Sequence, residues 1–189
     1  MKHNPKLLII TGRPGAGKTT ISKKIGTILR LPVLNRGEFK EGLINSFQTS
    51  HNSSPTNTNR LASGAFFDAV ELLLFRNISL IAKAAFQHKL WKELIDRVEY
   101  ISDVLIIVCY VDAMTAAERH LNRGLADPKR EYFHGDDSVT FFKKEGRTPK
   151  LVEYIPPNFQ YETIVVSTKS QYSPSLDYLE KKILAWLAS

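Results

Sequence analysis

No part of this sequence constrains the fold more than Leu7-Leu8-Ile9-Ile10-Thr11-Gly12-Arg13-Pro14-Gly15-Ala16-Gly17-Lys18-Thr19-Thr20. A short apolar run reads as a buried strand, a glycine-rich turn follows it, and Lys-Thr opens a helical pattern. Gly12 and Gly17 bracket four residues before Lys18 and Thr19, which is the spacing of a phosphate-binding loop. Glycine lets the backbone take conformations that a Cβ forbids, so successive N–H groups can turn toward phosphate oxygens beside the positive end of the following helix. Lys18 is then expected to reach the β- and γ-phosphates and the Thr19 hydroxyl to bind Mg²⁺. A glycine turn that holds nothing has no need of strand, spacing, Lys-Thr and helix in this order. Arg13, inside the loop, either lies along a phosphate or projects into solvent, and the sequence leaves both open.

The chain of 189 residues suits one domain and is large enough to bury a real core. Hydrophobic content of 43% with 24% charged residues is ordinary for a globular protein and indicates neither a disordered nor a membrane class. Met1-Lys2-His3-Asn4 leads directly into the first strand, and the apolar run there is too short for a signal-peptide core or a membrane span. The expectation is a cytoplasmic protein with no membrane partner. Cys109 is the single cysteine, so an internal disulfide is excluded, and its place in an apolar run marks it as core. One cysteine and scattered histidines also give no zinc-ligand spacing. The net charge of +7 favours anionic ligands: nucleotide phosphates, a phosphorylated substrate or nucleic acid. Monomer and homodimer fit this composition equally.

Beyond the loop, Ile21, Ile25, Ile28 and Leu29 recur at helical spacing, predicting a helix from Lys18 to about Arg30. Pro32-Val33-Leu34 is a short strand, and Phe39, Leu43, Ile44 and Phe47 stripe the next helix. The run 48–59 loses every apolar anchor and reads as a loop, either a substrate-side flap or a disordered surface segment. Leu61–Phe75 is helical, Ser79–Ala82 a brief strand, and Trp91, Leu94, Ile95 and Val98 stripe another helix. Val104–Val111 is apolar without alternation, as in a strand buried on both faces of a parallel sheet. A helix from Asp112 and Ala113 to about Arg123, a polar segment 124–150, a strand Thr163–Val166 and a helix opening at Ser173-Pro174 complete the chain. Five strands alternating with helices predict a doubly wound α/β sheet with its ligand crevice at the carboxyl ends of the strands.

Arg119 and Arg123 lie four residues apart and so share one helix face, from which both guanidiniums can close over phosphates. A solvated basic helix end is the alternative. The mixed signs from Lys129 to Lys150 weaken a nucleic-acid reading of that segment, and His134 within it is either a packing residue or a member of the site.

Taken together, Gly12–Thr20, Leu34-Asn35-Arg36-Gly37-Glu38-Phe39-Lys40-Glu41-Gly42-Leu43, Ile81-Ala82-Lys83-Ala84-Ala85-Phe86 and Ala116-Ala117-Glu118-Arg119-His120-Leu121-Asn122-Arg123 resemble the small P-loop kinases known as AAA-family ATP-binding proteins. These are similar to gluconate, shikimate and chloramphenicol phosphotransferases and to zeta toxins. The resemblance spans most of the chain, and its first block is the highly specific one. It implies a nucleoside-kinase-like P-loop NTPase with sheet order 2-3-1-4-5. It places ATP on Gly12, Arg13, Pro14, Gly15, Ala16, Gly17, Lys18, Thr19 and Thr20, with Mg²⁺ at Thr19. The substrate side falls near Arg36 to Gly42, a lid carries Arg119 and Arg123 on the helix that leads into its segment of about 124–150, and Ser167-Thr168-Lys169 lie near the adenine.

Two departures stand out. Such kinases usually have Arg-Asp-Glu after the second strand, where the aspartate orients or deprotonates the acceptor hydroxyl; here the residues are Arg36-Gly37-Glu38. They usually carry an acid near the metal at the end of the third strand, where this chain has Lys83. Glu38 can shift into the first role, Asp68 and Asp112 are the other candidate acids, and Lys83 can hold a phosphate or displace the metal. The leading expectation is an ATP-dependent phosphotransferase acting on a small hydroxylated metabolite, with Lys18, Arg119, Arg123 and Glu38 as its working groups. A catalytically degenerate ATP-binding sensor or interaction protein is the alternative, and a nucleic-acid-processing kinase comes third. A switch-type GTPase fits poorly, since no Asn-Lys-x-Asp motif, the guanine-reading sequence of that family, follows the fourth strand.

Overall fold

The computed structural model describes residues 4–189; the expected lead-in through Met1, Lys2 and His3 lies outside the described residues. Five parallel strands form one sheet: β1 (Lys6–Thr11), β2 (Val33–Asn35), β3 (Leu80–Lys83), β4 (Asp103–Tyr110) and β5 (Thr163–Ser167), in the order β2-β3-β1-β4-β5. The expected order 2-3-1-4-5 is therefore observed. Every residue of β1 is buried because β3 and β4 flank it and helices cover both faces. Period-two alternation divides its side chains between two cores. Leu7 and Ile9 join Phe66, Phe67, Val70 and Trp91 on one face, whereas Leu8 and Ile10 join Ile21, Ile25, Leu179 and Ile183 on the other.

The helices are α1 (Lys18–Leu29), α2 (Arg36–Phe47), α3 (Thr58–Phe75), α4 (His88–Val98), α5 (Ala113–Ala126), α6 (Lys129–His134), α7 (Ser138–Glu145) and α8 (Leu176–Leu187). In α4 the four residues that repeat at helical spacing, Trp91, Leu94, Ile95 and Val98, are the ones that bury. Cys109 is buried in the second core, and burial pushes its thiol up to about 12, which makes it packing and no nucleophile. No helix among the described residues is long and apolar enough to cross a membrane.

Three segments differ from expectation. The helix expected at Ser173-Pro174 begins at Leu176, because Ser173 exchanges backbone hydrogen bonds with Ser167 and is held extended; Ser175 is the cap, its side chain accepting from the Tyr178 N–H. The run 48–59 holds one 3₁₀ turn at His51–Ser53, and α3 already starts at Thr58, whose hydroxyl donates to Pro55 O. The polar segment 124–150 is mostly helical. Its apolar content is too low to show a stripe, and it is held instead by Asp136, which pairs with Arg130 (3.2 Å) and His120 (3.1 Å).

Candidate functional site

The loop between β1 and α1 is built on close backbone approaches. Gly12, Gly15 and Gly17 have φ of +142°, +80° and +77°. A Cβ on Gly12 would strike the Cys109 carbonyl oxygen, and one on Gly15 the Ala116 carbonyl. Only glycine satisfies both the left-handed backbone and the space. On the other side Thr168 braces the loop, its hydroxyl donating to Ala16 O at 3.1 Å while its N–H donates to Tyr110 O. The loop is thereby wedged between the ends of β4, α5 and β5.

Beneath it, α1 presents N–H groups that have no intrahelical partner. Pro14, Gly15, Gly17, Lys18, Thr19 and Thr20 line one end of a cleft of about 1980 Å³ that runs on past Arg36–Glu38, Lys40 and Glu41 to His134. Lys18 is only 8% exposed, and its Nζ donates to Arg13 O at 2.8 Å. Burial, joined by the charge of Lys83, lowers its pKa to about 7. Arg13 contributes this carbonyl to the loop.

Lys83 is the last residue of β3 and lies beside Ile10 in register, one residue short of the end of β1. This places its side chain across the first turn of α1. Its Nζ donates to Thr19 Oγ1 at 3.0 Å, and it too is 8% exposed. Burial lowers its pKa to about 8, with Glu38 opposing and Arg123 adding to the shift. The residues here do not fit Mg²⁺ well: the one hydroxyl expected to bind it accepts from an ammonium, and that ammonium belongs to Lys83, which stands where an acid near the metal is expected. The candidate substitute acids are engaged elsewhere. Asp68 pairs with Arg97 at 2.8 Å, and Asp112 caps α5 through Thr115 and meets Lys169 at 3.4 Å.

Arg119 and Arg123 both reach the cleft, as their spacing implies, but their guanidiniums have different partners. Arg119 donates to the carbonyls of Thr168 (2.9 Å) and Lys169 (2.7 Å), so it sits on the β5–α8 turn. Arg123 contacts His120 Nδ1 at 3.1 Å, and burial followed by the nearby Arg130 lowers its pKa.

At the far end, Glu38 accepts from Asn35 Nδ2 at 2.9 Å, which fixes its carboxylate at the mouth of α2. The Asn35 side chain also caps α2 by accepting from Gly37 N–H. A Cβ on Gly37 would point within 3.8 Å of the His134 ring, so His134 borders the position where an aspartate is expected. His134 itself pairs with Glu41 at 2.8 Å, and its carbonyl accepts from Lys40 Nζ at 3.0 Å. Buried Lys40, lowered to about 8 by burial and then by Arg36, ties α2 to α6. Sequence reasoning did not single out Lys40. It also missed Tyr154, whose hydroxyl meets Thr11 Oγ1 (2.8 Å) and Phe86 O (3.1 Å) at the end of β1. Lys40 lies within the Leu34–Leu43 block but in no role there, Tyr154 lies in none of the motifs, and both are positioned by contacts far along the chain.

No protein-family model matches the chain, and no curated protein matches it in sequence. Solved structures do match. A candidate kinase from Chloroflexus aurantiacus J-10-fl superposes with a TM-score of 0.73 at 23% identity over 98% of each chain. A gluconokinase from Sinorhizobium meliloti 1021 gives 0.55 at 15% identity, covering 99% of this chain and 94% of its own. The Mycobacterium tuberculosis APS kinase, solved with AMPPNP and APS, gives 0.61 at 14% identity over 100% of both chains. With the strand order and the loop wedged against β4 and β5, these likenesses show that the chain has the fold of the small P-loop kinases.

Proposed function

We propose that the protein is a cytoplasmic phosphotransferase that moves the γ-phosphate of ATP to a hydroxyl of a small metabolite. The observation that carries this reading is the cationic floor of the cleft: Lys18 and Lys83, both buried, meet at the glycine loop with Arg123 nearby. Buried cations crowded together are costly unless an anion joins them, and a polyphosphate supplies that charge. The fold shared with an APS kinase that holds AMPPNP and APS supports a nucleoside triphosphate as that anion.

In this reading Gly12 to Thr20 wrap the phosphates and Lys18 bridges the β- and γ-oxygens. Arg119, reaching from α5 to the β5–α8 turn, flanks the base end. Arg123 reaches in from α5 toward the transferring group, and segment 124–150 acts as the lid. The acceptor enters between Arg36 and His134. Its hydroxyl oxygen attacks the γ-phosphorus, the bond to the β–γ bridging oxygen breaks, ADP leaves, and Glu38 takes the hydroxyl proton. Positioning and charge stabilisation supply most of the rate in such reactions, so the chemistry tolerates the loss of an aspartate at position 37.

A nucleotide-binding protein without turnover is the second reading, favoured by Gly37, which leaves the acceptor side one carboxylate short, and by Lys83 in place of an acid near the metal. Measuring ADP formation from ATP, with and without a pool of hydroxylated metabolites and with and without Mg²⁺, separates the two. Acceptor-stimulated ADP release is the expected result. Binding of ATP with no release under any of these conditions contradicts the phosphotransferase reading and leaves the second.

A further inference from the structure

The Lys83–Thr19 contact goes further than a missing acid. The hydroxyl that a divalent ion would need is already accepting a hydrogen bond, 3.0 Å from an ammonium nitrogen. An ammonium has three donors; one is spent on Thr19, and two remain to face the cleft above the first turn of α1. Pairing with Ile10 on one side and Asn35 on the other holds the Lys83 backbone at the end of β3, from where its side chain reaches the first turn of α1. Its side chain is buried, and Glu38 and Glu41 favour its charged form from the acceptor side. A divalent ion bound to the same oxygen would lie within a few ångström of this ammonium. Of the carboxylates nearby, Asp68 is paired with Arg97 and Asp112 with Thr115 and Lys169, while Glu38 and Glu41 act on Lys83 itself.

We infer that Lys83 takes the place of the divalent ion, so that the protein binds its nucleoside triphosphate free of metal, the Lys83 ammonium bridging the Thr19 hydroxyl and the terminal phosphate oxygens. This rests on the nucleotide reading above and adds to it the form of the nucleotide that is bound. It also assigns the third-strand lysine a positive role in place of a lost one.

Calorimetric titration of ATP into the wild-type protein, in EDTA and again in excess Mg²⁺, tests it without any variant. The expected result is a metal-free Kd that matches or betters the Mg²⁺ value within about threefold. Lys83→Met should weaken metal-free binding by about tenfold or more, and Lys83→Asp should make binding depend on Mg²⁺ by at least that factor. Wild-type affinity that rises more than about threefold on adding Mg²⁺ overturns the inference and leaves nucleotide binding intact. Absence of binding under both conditions overturns the nucleotide reading and this inference with it.

Discussion

Single residues decide the shape of the loop and the direction of the proton. Gly15 combines a left-handed backbone with no room for a Cβ against the Ala116 carbonyl. Gly15→Ala should therefore cost at least about 2 kcal/mol, read as a fall of about 4–8 °C in the thermal midpoint for a domain of this size. An unchanged midpoint would mean that the loop is looser than drawn here. Glu38 is held by Asn35 at the acceptor side, so Glu38→Gln keeps that hydrogen bond and removes only the basic oxygen. Steady-state kinetics should show kcat reduced by about 10²-fold or more with ATP affinity unchanged; an unaltered kcat would remove Glu38 from the reaction. Most of this level is legible in the sequence. The motif fixes Gly12, Gly17, Lys18 and Thr19 by spacing alone, and Lys83 stands out as a cation where an acid is expected. That the Lys83 ammonium reaches Thr19 is not legible, because the pairing of β1 with β3 brings together residues 64 positions apart.

Among the elements, α6 and α7 behave differently from the rest, since little apolar surface holds them and their anchor is a titratable group. Burial alone would raise the pKa of Asp136, but hydrogen bonds from His120 and Ser138, with the charges of His120, Arg130 and Arg123 around it, hold the carboxyl well below the usual carboxylate range. The folded pKa thus lies below the ~3.9 of an unfolded aspartate, and the unfolded segment binds more protons between the two values. The stabilisation is fully present above about pH 4 and is lost as pH falls through the folded value. Hydrogen exchange followed from neutral to acid pH should show α6 and α7 losing protection while β4, the buried centre of the sheet, keeps it. Simultaneous loss in both would contradict a separate anchor for α6 and α7. These two helices escape sequence reading because charge pairs replace the periodic apolar stripe, whereas α4, with Trp91, Leu94, Ile95 and Val98 inward, shows its buried face directly. The start of α8 is misjudged for a similar reason: a proline marks a permissible first position, but the bridge between Ser173 and Ser167 is a tertiary contact.

For the molecule as a whole, alternating strands and helices give the α/β class, and the apolar continuity of β4 gives the parallel, doubly covered sheet. The strand order follows only from resemblance to other chains, since local pattern does not say which strand β1 neighbours. The order matters because it sets Lys83, Lys18 and the glycine loop at one sheet edge end, with α2 and α6 closing the opposite side through Lys40, Glu41 and His134. Lys18 and Lys83 line the floor of that cleft and Glu38 its far side, which is the arrangement that the proposed triphosphate donor and hydroxyl acceptor would require. The most direct measurement is a titration of ATP into the wild-type protein and into Lys18→Met, a variant that keeps the length of the buried chain and removes its charge. Saturable binding to the wild type that weakens by about tenfold or more in the variant is predicted; no binding to the wild type, or equal binding to both, would contradict the claim that this loop is a nucleotide site.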